Sequence, residues 1–239
     1  MFVFCPCTIA YVRTYIFVKV NPANETDGRR ERGDRTRRAV STAAAALASV
    51  DGLGGVTLSQ VADALGMSKS SIQAAFATKE QLQLAAVEAA TETFMREVVT
   101  PGMSKPEGLP RLRGLAESWL AYVEHRVFPG GCFMVATLSE FDSRPGPVRD
   151  ALRRARRGWL KLLEHNAKVA QAAGDIPDHP APALVAFEVD ALLSMGNVQR
   201  NITDDTGALD DARRLIELRL TGREPRPSRR ARAGKAGKG

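Results

Sequence analysis

Lys69, Ser70, Ser71, Gln73 and Ala74 stand together in one short stretch, KSSIQA, and their types suit a nucleic-acid surface. Serine hydroxyls can bond base edges or phosphate oxygens. The glutamine amide offers one donor and one acceptor, the pair that adenine presents in the major groove. The lysine neutralises a phosphate, and the small side chains let the backbone come close. Thr57, Ser59 and Ser68 complete the hydroxyl set on the flanking residues, and Lys79 falls at the first turn of the next helix, where it could meet a phosphate.

Other chemistry is poorly supported. His125, His165 and His179 share no ligand spacing, and no HExxH, GxSxG or phosphate loop is present. No catalytic residue, metal or cofactor is expected. Cys132 follows Pro129-Gly130-Gly131, where a helix start would favour a thiolate, but a small buried residue is the expected role. The other two cysteines, in Cys5-Pro-Cys7, are too close to form a metal site alone. An odd count without framework spacing makes the cytoplasm the expected compartment. The apolar first twenty residues lack a basic start and a small-residue cleavage site, and Arg13 interrupts them. They read as an accessory extension, not a leader or membrane span.

Charge is unevenly spread. The net charge is +7. Residues 29–38 hold six arginines against Glu31 and Asp34, and residues 222–239 hold seven basic residues against Glu224. The body between them is net negative. Basic arms of this kind attract polyanions, usually nucleic acid.

The elements that must position the KSSIQA stretch are helices. A helix is expected from about Asp34 to Val50, stopped by the glycines of DGLGG. Thr57 with Gln60 reads as a capping box, and Leu58, Val61, Ala62 and Leu65 make one apolar face. Gly66 ends that helix, Ser68 caps the next, and Ile72 and Phe76 face inward from it. Thr78 with Gln81 opens a long helix, broken at Pro101–Pro110. Further helices follow over about 111–128, 132–141, 148–173, 183–201 and 209–220, of which 132–141 is short and apolar and 183–201 is strongly apolar. The chain is therefore expected to be all-α, with about nine helices: an extension over 1–28, a helix-turn-helix domain with its basic arm over 29–80, a helical domain over 81–221 and a basic tail over 222–239.

Over about Arg38–Val87 the chain resembles the TetR/AcrR family of one-component repressors, through its apolar spacing, the run ALGMSKSSI, the closing Phe76 and TKEQL opening the next helix. The run GGCFMVATLSEFDSRPGPVRDAL is similar to a C-terminal regulatory subtype found with such domains. One departure stands out. The family usually has Leu-Tyr-x-His-Phe at the end of the recognition helix, where this chain has Ile72-Gln73-Ala74-Ala75-Phe76. The aromatic and the imidazole that commonly touch the DNA backbone are thus replaced by Gln73 and Ala75.

The resemblance implies a homodimer on double-stranded operator DNA, an inverted repeat, released by a small-molecule effector. It also implies an apolar ligand pocket among the C-terminal helices, for which Trp119, Tyr122, Phe133, Trp159 and Phe187 are the aromatic candidates and Glu117, Glu140 and Asp190 the polar ones. The last two helices would pair with a second subunit, with Leu192, Leu193 and Leu215 as candidate contacts. The rival readings are a constitutive DNA-binding protein without an effector and a helical enzyme using its C-terminal domain.

Overall fold

The computed structural model describes residues 28–205 and 207–223, with side chains from residue 31 onward. The extension with Cys5-Pro-Cys7, and residues 224–239 of the basic tail, lie outside the described residues. Among the described residues every regular element is helical.

Helix α1 spans Gly28–Asp51. It begins earlier than the apolar pattern suggested, so the arginine segment forms its opening turns; arginine is a good helix former and no proline interrupts it. Val40, Ala44, Ala45 and Ala48 are buried along one face. The three alanines let α1 lie close to α4 (Lys79–Phe94), whose Leu82, Ala86, Val87 and Ala90 are buried. Between them sit α2 (Leu58–Leu65) and α3 (Lys69–Ala75).

Helix α4 does not stop before Pro101. It passes through a π-helical turn, Met95–Val99, into α5 (Thr100–Met103). The wider turn immediately precedes a proline whose ring and missing N–H would clash with a regular helical turn. Counting this rod once, the described residues hold nine helical rods, the number expected.

The body consists of α6 (Leu109–Glu124), α7 (Phe133–Phe141), α8 (Pro147–Ala172), α9 (Pro182–Thr203) and α10 (Gly207–Thr221). Helix α9 packs against α8 and α10, while α7 lies against α1. Buried polar groups are matched inside the body. Asn166 accepts from the Gly108 amide at 3.3 Å and donates to the Leu162 carbonyl at 2.9 Å. Buried Arg200 donates to the Val123 and Glu124 carbonyls at the end of α6, and burial lowers its pKa from the ordinary arginine value. Among the described residues, no helix is long and apolar enough to cross a membrane.

Candidate nucleic-acid interface and the cavity behind it

Local hydrogen bonds build the two short helices. Thr57 Oγ1 accepts from the Gln60 amide at 3.2 Å, and Gln60 Oε1 accepts from the Thr57 amide at 2.9 Å, a complete capping box. Gly66 ends α2 at φ 62°, a left-handed conformation that costs glycine little. Ser68 then caps α3 by accepting from the Ser71 amide at 3.2 Å, while its hydroxyl lies 2.9 Å from that of Ser70 and 2.8 Å from that of Ser71. Thr78 caps α4 in a variant of the expected box. Its Oγ1 accepts from the Gln81 amide, but the Gln81 side chain takes the amide of Ala77 and not that of Thr78.

Ile72 and Phe76 are fully buried, and Val61 and Ala62 face them from α2. Fixing that face inward leaves Lys69, Ser70, Ser71, Gln73 and Ala74 outward. All five are exposed, as are Thr57, Ser59, Ser68 and Lys79. Two details escape the apolar pattern. Lys79 Nζ donates to the Gly54 carbonyl at 2.6 Å, so its ammonium is anchored to the DGLGG loop with two protons left for another partner. Arg37 of α1 lies 4.3 Å from the Phe76 ring centroid and donates to the Ala75 carbonyl at 2.7 Å. It thereby caps the negative end of α3 with a cation. The basic segment holding Arg37 signalled charge but not this contact.

Behind this unit, a cavity of about 40 Å³ lies between α4, α6, α7, α8 and α9. Trp119, Tyr122, Phe133 and Trp159 line it together. Phe94 joins them, with its ring edge-on to Tyr122 at 5.9 Å and to Trp159 at 5.1 Å. The polar feature of the wall is Asp190. It is 3% exposed, and its carboxylate receives the Arg156 guanidinium on both oxygens and the Trp159 indole N–H at 2.9 Å. Cys132 also lines the cavity; burial pushes its thiol up to about 11, so it is a neutral group at physiological pH. Burial likewise raises the Tyr122 phenol well above its ordinary value.

Phe187 lies elsewhere. The inward stripe of α9 is Ala186, Val189, Asp190, Leu193 and Asn197, and Phe187 is on the opposite stripe, 60% exposed, beside Leu192, Leu215 and Leu218. Leu193 is fully buried within its own subunit and offers no surface to a partner, whereas Leu192 is half-buried and Leu215 exposed. These two reversals share one cause: α9 is apolar on both faces, so its phase cannot be read from hydrophobicity alone.

Of the three acids considered as ligand anchors, only Asp190 lies on the cavity. Glu117 pairs with Arg213 of α10 at 3.0 Å. Glu140, near the end of α7, reaches the loop after α1. Its two oxygens accept from the Leu53 amide at 3.0 Å and the Gly54 amide at 2.7 Å. Gly52 makes room for it: at φ 76°, a Cβ there would stand 1.9 Å from the Glu140 carboxylate. Over the two turns before Glu140, Phe133, Met134, Val135 and Leu138 of the same helix line the cavity. Among the described residues, no cluster of histidine, cysteine or acids could hold a metal ion.

Comparison with known proteins adds two family matches. Residues 41–86 match the model for bacterial regulatory proteins of the tetR family, and residues 108–216 match the tetracyclin repressor-like C-terminal domain. Together they cover more than half of the chain. Among solved structures, a TetR transcriptional regulator of Chloroflexus aurantiacus is similar at 24% identity, covering 78% of this chain and 94% of its own, with a TM-score of 0.71. A TetR-family regulator of Cytophaga hutchinsonii is similar at 20% identity, covering 85% and 100%, with a TM-score of 0.69. AibR, solved in complex with isovaleryl coenzyme A and operator DNA, is similar at 18% identity, covering 77% and 97%, with a TM-score of 0.63. No curated protein matches the chain significantly.

Proposed function

The chain belongs to the TetR family of DNA-binding transcriptional regulators, and from that premise we propose that it is a cytoplasmic homodimeric repressor, released from an inverted-repeat operator when a small molecule enters the cavity. Helix α3 enters the major groove. Gln73 reads a base edge, Ser70 and Ser71 bond bases or phosphates, and Lys69, Lys79 and the hydroxyls of Thr57, Ser59 and Ser68 set the register on the backbone. Arg37 supports the end of α3 from behind.

The observation that carries the sensor reading is the double attachment of α7. One face of this helix walls the cavity, and its Glu140 grips the loop that leads into the helix-turn-helix. A second tie runs beside it, where the Gly130 amide donates to Ser49 Oγ at 3.0 Å near the end of α1. A ligand that displaced α7 would therefore pull on the reading unit through named hydrogen bonds. At about 40 Å³ the cavity has room for little more than water, so an effector would have to push its walls apart, α7 among them. On this reading the Glu140 grip favours DNA binding, and displacement of α7 by a ligand weakens it.

Dimerisation is supported by α9. Leu184, Phe187, Ala191, Met195, Val198 and Ile202 recur at intervals of three and four and are all exposed, forming an apolar stripe along the whole helix. Leu215 and Leu218 extend it onto α10. A surface of this kind calls for a partner, and two such helices from each subunit make a four-helix bundle. The two α3 helices of a dimer would then enter successive major grooves, about 34 Å apart.

The test is footprinting of the purified protein on the DNA flanking its gene. Protection of an inverted repeat with half-sites about one helical turn apart is expected. Failure to protect any such repeat, at salt where the protein is dimeric, would refute the repressor reading. Protection that persists against every apolar ligand tried would favour the constitutive binder instead.

A further inference from the structure

The cavity has a neighbour whose chemistry differs from its own. On the outer side of α8 runs a groove of about 620 Å³ with an apolar floor, Leu138, Phe141, Leu152 and Leu160. Its rim carries Arg149, Arg153, Arg156, Arg157 and Lys161 against the acids Asp142 and Glu164. Asp150 engages Arg153 at 3.0 Å from the same helix. Cations thus dominate the rim, although the body of the chain is net negative. Leu138 and Arg156 line both this groove and the inner cavity. The two spaces therefore share a wall, formed by Leu138 and Arg156, with the apolar floor of one backing the apolar lining of the other.

The interior cannot take a ligand's charge. Its carboxylate, Asp190, already holds Arg156 and the Trp159 indole, so the guanidinium facing the cavity is neutralised. The rest of the lining is uncharged and mostly apolar, with Thr91, Ser194 and the neutral Cys132 thiol among aromatic, methionine and aliphatic side chains, and an unpaired charge there would be costly. A charged effector must leave its head outside, and the outer groove is where cations await it.

We propose that the effector is an amphiphilic anion, with an apolar acyl or aryl group in the cavity and a phosphate- or carboxylate-bearing head on the Arg149, Arg153 and Arg157 rim of α8. The inference rests on reading the cavity as the effector site and assigns the chemistry of what enters it. Guanidinium groups suit oxyanion heads because they donate in pairs. Met95 and Met134, both on the cavity wall, are flexible enough to widen it for a chain. Arg156, between the two spaces, sits where the head joins the tail.

The chain's two tryptophans, Trp119 and Trp159, both line the cavity, so their emission reports occupancy. The full-length protein is titrated with octanoyl-coenzyme A, octanoate, 1-octanol and coenzyme A alone, at about 50 and about 200 mM salt. The expected result is that octanoyl-coenzyme A or octanoate changes the emission at least tenfold more tightly than 1-octanol, weakens with salt and lowers operator affinity. Arg153→Ser with Arg157→Ser should reduce that affinity at least tenfold, leave 1-octanol binding as it was and melt at the wild-type temperature. Octanoate matching the thioester identifies a free acid as the source; the thioester far ahead of octanoate identifies a nucleotide-bearing head. Binding of 1-octanol within twofold of both anions, or indifference of the anions to the double substitution, overturns the proposal while leaving the sensor reading intact. Failure of every compound to alter emission or operator affinity overturns this proposal and counts against the sensor reading as well.

Discussion

The helix-turn-helix caps its helices through residues three apart, whereas several buried polar groups of the helical body reach far along the chain. In the reading unit the caps are local. Thr57 serves Gln60, Ser68 serves Ser71 and Thr78 serves Gln81, each across three residues. In the body the polar ties span the chain: Arg156 to Asp190, Cys132 to Asn197, and Glu140 to Leu53 and Gly54. Locally built helices can change their outward side chains without disturbing the fold. On the proposed reading, the helix-turn-helix would set specificity, while a body held by distant ties around an aromatic cavity would set the state.

The largest effect expected from breaking this division is at the subunit contact. Phe187→Glu with Met195→Glu places two charges on the α9 stripe. Sedimentation should show a monomer, and operator affinity should fall by about 10²-fold or more, because the second half-site is then no longer engaged within one molecule. A variant that still sediments as a dimer would remove α9 from the interface.

Next comes the body's buried pair. Asp190→Ala leaves the Trp159 indole N–H without its partner and the Arg156 guanidinium without its counter-charge. Since Arg156 is partly solvated, a loss of about 2–3 kcal/mol is expected in urea unfolding. Gln73→Ala sharpens the contrast. It should leave stability within about 0.5 kcal/mol of wild type, yet reduce preference at one base position of the operator by about 1–3 kcal/mol in a binding-site selection. Equal base preferences before and after would misplace α3 in the groove.

The smallest effect concerns Cys132. Its folded pKa is raised, so the unfolded chain loses the thiol proton first. The stabilisation is complete below the unfolded value of about 8.5 and declines as pH rises from there through about 11. In native protein at neutral pH, peptide mapping after iodoacetamide should find Cys132 unmodified, and labelled once the protein is unfolded. Rapid native labelling would mean that the cavity opens far more readily than its packing implies.

The same difference in range explains what the sequence made legible. Capping residues, the Gly66 stop and the Ile72–Phe76 anchor lie a few residues apart, so spacing identified both short helices and the outward face of α3. The aromatic lining was partly legible, because Trp119, Tyr122, Phe133 and Trp159 fall on helices whose inner faces are apolar. Phe187 and Leu193 were not, since α9 carries apolar residues on two stripes, one for its own core and one exposed. Proline rules alone would have ended α4 before Pro101, because nothing in the local pattern marks a π turn. The partner of Glu140 was out of reach too: nothing near residue 140 points to a glycine loop 86 residues earlier. The only sign in the loop itself was its glycine density, read as a helix stop and not as a seat for a carboxylate.

Glu140 is the proposed link between cavity and reading unit, and Glu140→Ala tests that link without knowledge of the ligand. Operator affinity of the full-length dimer is measured beside amide exchange at Leu53 and Gly54. Faster exchange at those two amides is expected, with operator affinity lowered at least tenfold, about 1.4 kcal/mol, in a protein that remains folded and dimeric. Wild-type operator affinity with the two amides freed would contradict it.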